Sequence, residues 1–288
     1  MTTLKSSEGT LYFGTGYPTV ISGMLINTLK DELLVEELSQ GKLDRVKLLA
    51  EQQRIDGVGF LDIMIAHPEL NERDLLPRVV SAAHDASGLP IALDCADPEA
   101  LKNVLNVFPF KPLINSFTGE DKKISTILPL VKESGAAVIG LCLDDGGIPD
   151  SVEKRFDIAR KLVKSCEDYS IDLENLVIDP LCLTASVFPG DFVVTLDLLR
   201  KIKDTYDITT FLGVDNAGFG MPQKELIDLT FLISAISAGL DAALLEPFIL
   251  SEFGKQLGVM FFAADFLTGN DPDARKYLSY IRSYRLHK

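Results

Sequence analysis

Four apolar runs of the chain each finish in a carboxylate or an amide. PIALDC reaches Asp94, PLINSF reaches Asn115, LVIDPL reaches Asp179, and TTFLGVDN ends on Asp215 and Asn216. A buried strand that closes on a hydrogen-bonding side chain delivers that group to the sheet edge, where parallel α/β proteins hold their ligands. Carboxylates accept paired N–H donors, whereas amides both donate and accept. Together Asp94, Asn115, Asp179 and Asn216 therefore suit a flat heterocycle with amino, ring N–H and carbonyl groups, such as a pterin or a purine. Each acid could instead cap the helix after its strand. Against that, Asp179 is followed by Pro180 and Asn115 by Ser116, and neither pair directly precedes a helix start.

Other chemistries have less support. Cys95, Cys142, Cys166 and Cys182 lie far apart without a histidine at zinc-ligand spacing, and His67, His84 and His287 are too scattered for a triad, so no metal is expected. Cys95 and Cys142 read as small packed hydrophobes. The segment GTGYPTVISG lacks the GxGxxG spacing of a dinucleotide site. Asp144 and Asp145 in LDDGGIP lack the alternating oxygen ligands that calcium requires, so that segment reads as a turn.

The elements that must position these groups are short β-rich runs at 10–14, 58–66, 90–95, 112–117, 136–143, 176–181, 209–215 and 242–247. Amphipathic stretches such as LDRVKLLAEQQ and VEKRFDIARKLVKSCEDY separate them, with apolar residues three or four apart. Asp97 before Pro98, and Asp150 before SVEKR, have the form of N-caps, while Gly135 and Gly239 stand where helices should stop. Strand and helix alternating eight times over 288 residues predict one domain, residues 1–288, folded as a (β/α)8 TIM barrel. On this count the four polar strand ends belong to strands three, four, six and seven and converge on one mouth. Residues 1–10 are expected to fray, and the region after Asn270 reads as a closing helix.

A net charge of −14 argues against a nucleic-acid surface, which needs a basic footprint. No apolar run approaches bilayer-spanning length, and MTTLKSSEGT has neither a signal core nor an Arg-rich transit pattern, so a cytoplasmic protein without membrane contact is expected.

The motifs LDCADPEAL, KPLINSFTGE, GIPDSVEKRFDIARKLV, LENLVIDPLCLT and FLGVDNAGFGMP, in that order, resemble those of the pterin-binding methyltransferase family over roughly residues 56–250. More narrowly, they resemble enzymes that exchange a methyl group between tetrahydrofolate and a separate corrinoid protein, cousins of the folate domain of cobalamin-dependent methionine synthase and of dihydropteroate synthase. The resemblance implies a TIM barrel, a homodimer, tetrahydrofolate or 5-methyltetrahydrofolate as cosubstrate, and cobalamin carried by a corrinoid-binding partner. It also implies that Asp94, Asn115 and Asp179 hold the pterin, and that Asn216 is the catalytic residue beside the methyl-bearing nitrogen. Asp62, Asp215, Phe219 and Lys224 are secondary candidates. The chain departs from the family pattern at Met64, where an asparagine is commoner, at Asp215, where many relatives have serine, and in AGFG, which replaces VSFG or VSQK. The DNAGFG form most resembles the branch that serves methylotrophic corrinoid systems such as glycine betaine demethylation. Two rivals remain. A dihydropteroate-synthase-like condensing enzyme would need a pyrophosphate site, for which Lys224 is the nearest cation; a non-catalytic pterin-binding or corrinoid-docking subunit would need no chemistry at all.

Overall fold

The computed structural model describes residues 1–188, 190–245 and 254–286. Eight strands form a closed parallel barrel: β3 (Val20–Asn27), β4 (Phe60–Met64), β5 (Ile91–Asp94), β6 (Leu113–Thr118), β7 (Ala137–Leu141), β8 (Leu176–Asp179), β9 (Thr209–Gly213) and β10 (Ala242–Leu244), with β10 returning to pair with β3. The expected (β/α)8 class is the observed one. Because side chains alternate across a strand, each run feeds two separate cores. Ala92, Leu113, Ala137, Ile139 and Val177 fill the lumen. Their neighbours Ile91, Leu93, Ile114, Val138 and Ile178 face outward against the helices.

Around the barrel stand α1 (Glu32–Ser39), α2 (Asp44–Ile55), α3 (Glu72–Ser87), α4 (Pro98–Val107), α5 (Asp121–Ser134), α6 (Val152–Asp168), α7 (Asp191–Tyr206), α8 (Lys224–Ser237), α9 (Gly254–Thr268) and α10 (Arg275–Leu286). Asp97 caps α4 by accepting from Glu99 N, with Pro98 at the first helical position. Gly135 ends α5 at a φ of 68°. Gly239 follows α8 at a φ of 102°. None of the described helices is long and apolar enough to cross a membrane.

Three sequence expectations are corrected. The run at 10–14 does not open the barrel. It is β2 (Gly9–Phe13), antiparallel to β1 (Thr2–Ser6), and the first barrel strand is VISGMLIN, residues Val20–Asn27. Gly23 hides that strand from an apolar count. Gln53 approaches so closely that a Cβ at Gly23 would lie 2.3 Å from its Oε1, and the same oxygen accepts from Leu25 N at 3.0 Å, next to a register shift. Residues 1–10 do not fray either, because the hairpin plugs the N-terminal end of the barrel. Leu4 and Phe13 are fully buried in the lumen cluster, Phe13 lies 6.1 Å from Phe60, and Thr2 donates to Thr209 at 2.9 Å. Finally, Ser151 rather than Asp150 precedes α6, and Asp150 instead faces solvent in an ion pair with Lys154. The end of the expected eighth strand at Glu246 and Pro247 lies outside the described residues, as does His287.

Truncating Phe13 to Ala should cost about 3 kcal/mol, as for other fully buried aromatics. Urea unfolding would measure it, and a loss below about 1 kcal/mol would show that the hairpin is not part of the cooperative unit.

Candidate active site at the barrel mouth

Strand parity decides which polar residues enter the lumen. Asp62 pairs with the lumen residue Ala92, and Asp94 lies two residues beyond Ala92 on the same face. Asn115 stands opposite Asp94 and two residues beyond Leu113. Asp179 stands opposite Leu141, two residues beyond Val177. All four side chains therefore rise from the lumen face at the C-terminal end of the barrel, above an apolar floor.

Asn115 donates from Nδ2 to Asp62 Oδ2 at 3.0 Å, which fixes the amide orientation and leaves its carbonyl oxygen as an acceptor. Burial pushes the Asp62 carboxyl well above the ordinary carboxylate range. The charge of Asp94 adds to the rise, and the Asn115 bond opposes it. Burial, aided by Glu72, lifts Asp94 to about 6. Burial lifts Asp179 to about 7, against the pull of the Leu181 N–H, 2.7 Å from its Oδ1, and of Arg155. Near neutral pH Asp179 stands close to half-protonated, and Asp62 and Asp94 are shifted toward the protonated form. They can accept from a ligand or donate to it.

Asn216 occupies a different position. It closes the short 3-10 turn Val214–Asn216 beyond β9 and is exposed on the rim, with its Nδ2 3.0 Å from where a Cβ on Gly213 would stand. Asp215 pairs with Lys30 at 3.3 Å, joining this turn to the loop after β3. Asp228 accepts from Gly218 N at 2.7 Å and pairs with Lys224 at 2.5 Å. A Cβ at Gly218 would come within 2.6 Å of the Lys224 carbonyl, so the turn needs glycine there. Thus Asp228 anchors the loop carrying Asn216, and Lys224 pairs with the other oxygen of that carboxylate. Phe219 is 67% exposed, and its carbonyl accepts from Thr184 at 2.7 Å and Ser186 at 3.0 Å. Met64 is half-buried on β4, two residues beyond Asp62 on the same face.

The sequence reading missed two groups. Glu72, at the start of α3, has a buried Oε1 with no hydrogen-bond partner, and its charge raises both Asp94 and Cys95. In sequence it looks like an ordinary acid of a helix's first turn. Arg155, fully buried on α6, donates to the carbonyls of Pro149, Pro180 and Leu181 and pairs with Asp191. Nothing in VEKRFDIARKL separates it from the solvent-facing charges around it. Cys95, Cys142, Cys166 and Cys182 are free and buried, and among the described residues no group of three or more His, Cys, Asp or Glu could hold a metal.

The family described as "Pterin binding enzyme" matches residues 26–246. Among curated proteins, the chain is 27% identical over 233 residues to a methylcorrinoid:tetrahydrofolate methyltransferase of Eubacterium limosum, covering 80% of this chain and 84% of that one. It is also 27% identical over 228 residues to methionine synthase of Mycobacterium tuberculosis, but spans only 19% of that longer protein. Among solved structures, dihydropteroate synthase of Yersinia pestis superposes with a TM-score of 0.61 at 14% identity, over 91% of this chain and 97% of that one. The 7,8-dihydropteroate synthase of Vibrio fischeri superposes with a TM-score of 0.62 at 16% identity, over 92% and 97%. At that identity the two structures share the fold.

The raised carboxyls carry a stability signature. A folded-state pKa of about 7 for Asp179, against the ordinary 3.8, favours the protonated group. Its contribution is complete below the ordinary value and is lost as pH rises through about 7. The unliganded chain should therefore lose stability between pH 5 and pH 8, by on the order of 3 kcal/mol from Asp179. Asp179→Asn should flatten the profile and be the more stable protein at pH 8. Urea midpoints across this range test it, and parallel profiles for the two proteins would refute it.

Proposed function

Because the chain belongs to the pterin-binding enzyme family, we propose that it moves a methyl group between tetrahydrofolate and the corrinoid of a separate partner protein. The physiological direction in this reading is methylcorrinoid protein plus tetrahydrofolate giving 5-methyltetrahydrofolate. The observation that carries the proposal is the set Asp62, Asp94, Asn115 and Asp179, all turned to one lumen face and left with raised, ligand-ready carboxyls. The similarity to the Eubacterium limosum enzyme along 80% of the chain supports the methyl-transfer chemistry over other uses of such a site. The whole chain, 1–288, acts as one pterin-binding barrel, paired as a homodimer. The DNAGFG segment supports a place in the branch that draws methyl groups from donors such as glycine betaine.

In this reading Asp94, Asn115 and Asp179 grip the amino, N–H and carbonyl edge of the pterin, and holding it in line with the methyl carbon removes much of the entropic barrier. The ring nitrogen's lone pair forms the new carbon–nitrogen bond. The carbon–cobalt electron pair stays with the partner's metal, and the nitrogen's proton passes to water. Asn216, on the rim where the partner must approach, directs its amide at that nitrogen and orients the lone pair. In the reverse direction the same amide orients a protonated nitrogen as the carbon–nitrogen bond breaks.

Asn216→Ala should lower turnover by about 100-fold, the usual cost of one transition-state hydrogen bond, with tetrahydrofolate affinity within about threefold of the parent. Asp179→Ala should weaken tetrahydrofolate binding by about 10–100-fold, as expected for a lost hydrogen bond to a charged group. Titration calorimetry with tetrahydrofolate and the absorbance of methylcobalamin read the two effects separately. Binding without any spectral change would identify a pterin-binding subunit instead of an enzyme, and absence of binding would overturn the proposal.

A further inference from the structure

The buried ion pair between Arg155 of α6 and Asp191 of α7 is not explained by helix packing alone. Desolvating two charges is costly, and an apolar pair of similar volume often holds helices together as well. An apolar pair cannot pin backbone carbonyls at fixed points, and Arg155 spends most of its fork doing so. Its Nε donates to Pro149 O at 2.7 Å in the loop after β7, and its Nη1 donates to Pro180 O at 3.3 Å and Leu181 O at 3.2 Å in the loop after β8. Asp191, held by Nη2, also accepts from Leu183 N at 2.9 Å.

The target of this knot is a strained residue. Leu181 has a φ of 65°, a left-handed conformation that side-chain-bearing residues avoid unless the surroundings impose it. It is tied at both ends. Its carbonyl accepts from Arg155 and from Thr195 Oγ1 at 2.8 Å, and its N–H points back to Asp179 Oδ1 at 2.7 Å. Further on, the same loop clips the turn that carries Asn216, through Ala185 N to Ala217 O at 3.0 Å and the Thr184 and Ser186 bonds to Phe219 O. We infer that Arg155 is a positioning residue of the active site: through Leu181 it sets the direction of the Asp179 carboxyl, and through residues 184–186 the placement of Asn216. The inference deepens the pterin-site reading, and its primary readout needs no ligand.

The test compares the parent with Arg155→Lys, which keeps the charge but loses the planar fork, and with Thr195→Val, which removes the hydroxyl's 2.8 Å bond to the Leu181 carbonyl together with its longer contacts to Asp191 and Arg155 Nη1 but leaves the Arg155 fork in place. Carbon-13 NMR of labelled aspartate, with the Asp179 signal assigned through Asp179→Asn, follows that carboxyl in the unliganded protein. The groups that sense Asp179 are Arg155 and the thiols of Cys142 and Cys182. With the parent carboxyl titrating at about 7, loosening Leu181 weakens the N–H bond to the ionised form. The midpoint should therefore rise by about one unit in Arg155→Lys and by a smaller amount in Thr195→Val. Tetrahydrofolate binding, by calorimetry, should weaken about tenfold and about fivefold respectively. Should Arg155→Lys fail to fold, Thr195→Val alone decides. A folded variant whose melting temperature drops while the Asp179 midpoint stays put overturns the inference, as does unchanged affinity in a parent that binds. If the midpoint moves and the parent does not bind tetrahydrofolate, positioning stands and the ligand assignment falls.

Discussion

The constraint on which the rest depends is the alternation of side chains through a closed parallel sheet. Once eight strands have closed, every second residue is committed to a lumen that admits no water-filled gap, so its lower part must be filled by apolar groups. Here that filling is uneven in size, with Ala92, Ala137 and Ala242 set against Phe60 and Phe211, and the N-terminal hairpin supplies the missing volume through Leu4 and Phe13. The same parity that sends Ala92 and Val177 inward sends Asp94 and Asp179 inward two residues later, above the apolar layer.

Carboxyl groups placed there lose hydration without gaining an equivalent partner. The protein leaves this cost largely uncompensated. Asp62 gains one amide bond and Asp179 one backbone N–H, and both still stand above the ordinary carboxylate range. Groups held in that state bind a ligand rich in N–H donors more strongly than water-exposed acids do, since the desolvation has occurred before the ligand arrives. In the proposed function the expected loss of stability at neutral pH is what prepares the site, a trade that functional clefts commonly show.

Behind the lumen face a second layer of polar contacts fixes the loops. Asp228 with Gly218 and Lys224 sets the turn after β9, and Arg155 with Asp191 sets the chain after β8. Thr184 and Ser186 tie the two loops together. The charged members of this layer come from α6, α7 and α8, so the helices hold the loops as well as the core. Asn216 sits on the turn that this layer holds from one side, with the Asp215–Lys30 pair on the other.

The sequence by itself determined the alternation of strand and helix, the barrel class and the polar strand ends, because each of these is a local pattern of apolar periodicity closed by a hydrogen-bonding residue. Seven of the eight barrel strands could be read in this way. The remaining one, Val20–Asn27, could not, because its apolar run is interrupted at Gly23 to admit a side chain from α2. Tertiary structure alone decided that residues 2–13 close the barrel floor, that Asp228 is buried against Gly218, that the charge of Glu72 acts on Asp94, and that Arg155 lies buried behind Asp179. In each case the deciding partner is distant in the chain or its role depends on burial. A charge in an amphipathic helix looks the same whether it meets water or a carbonyl, and only packing distinguishes the two.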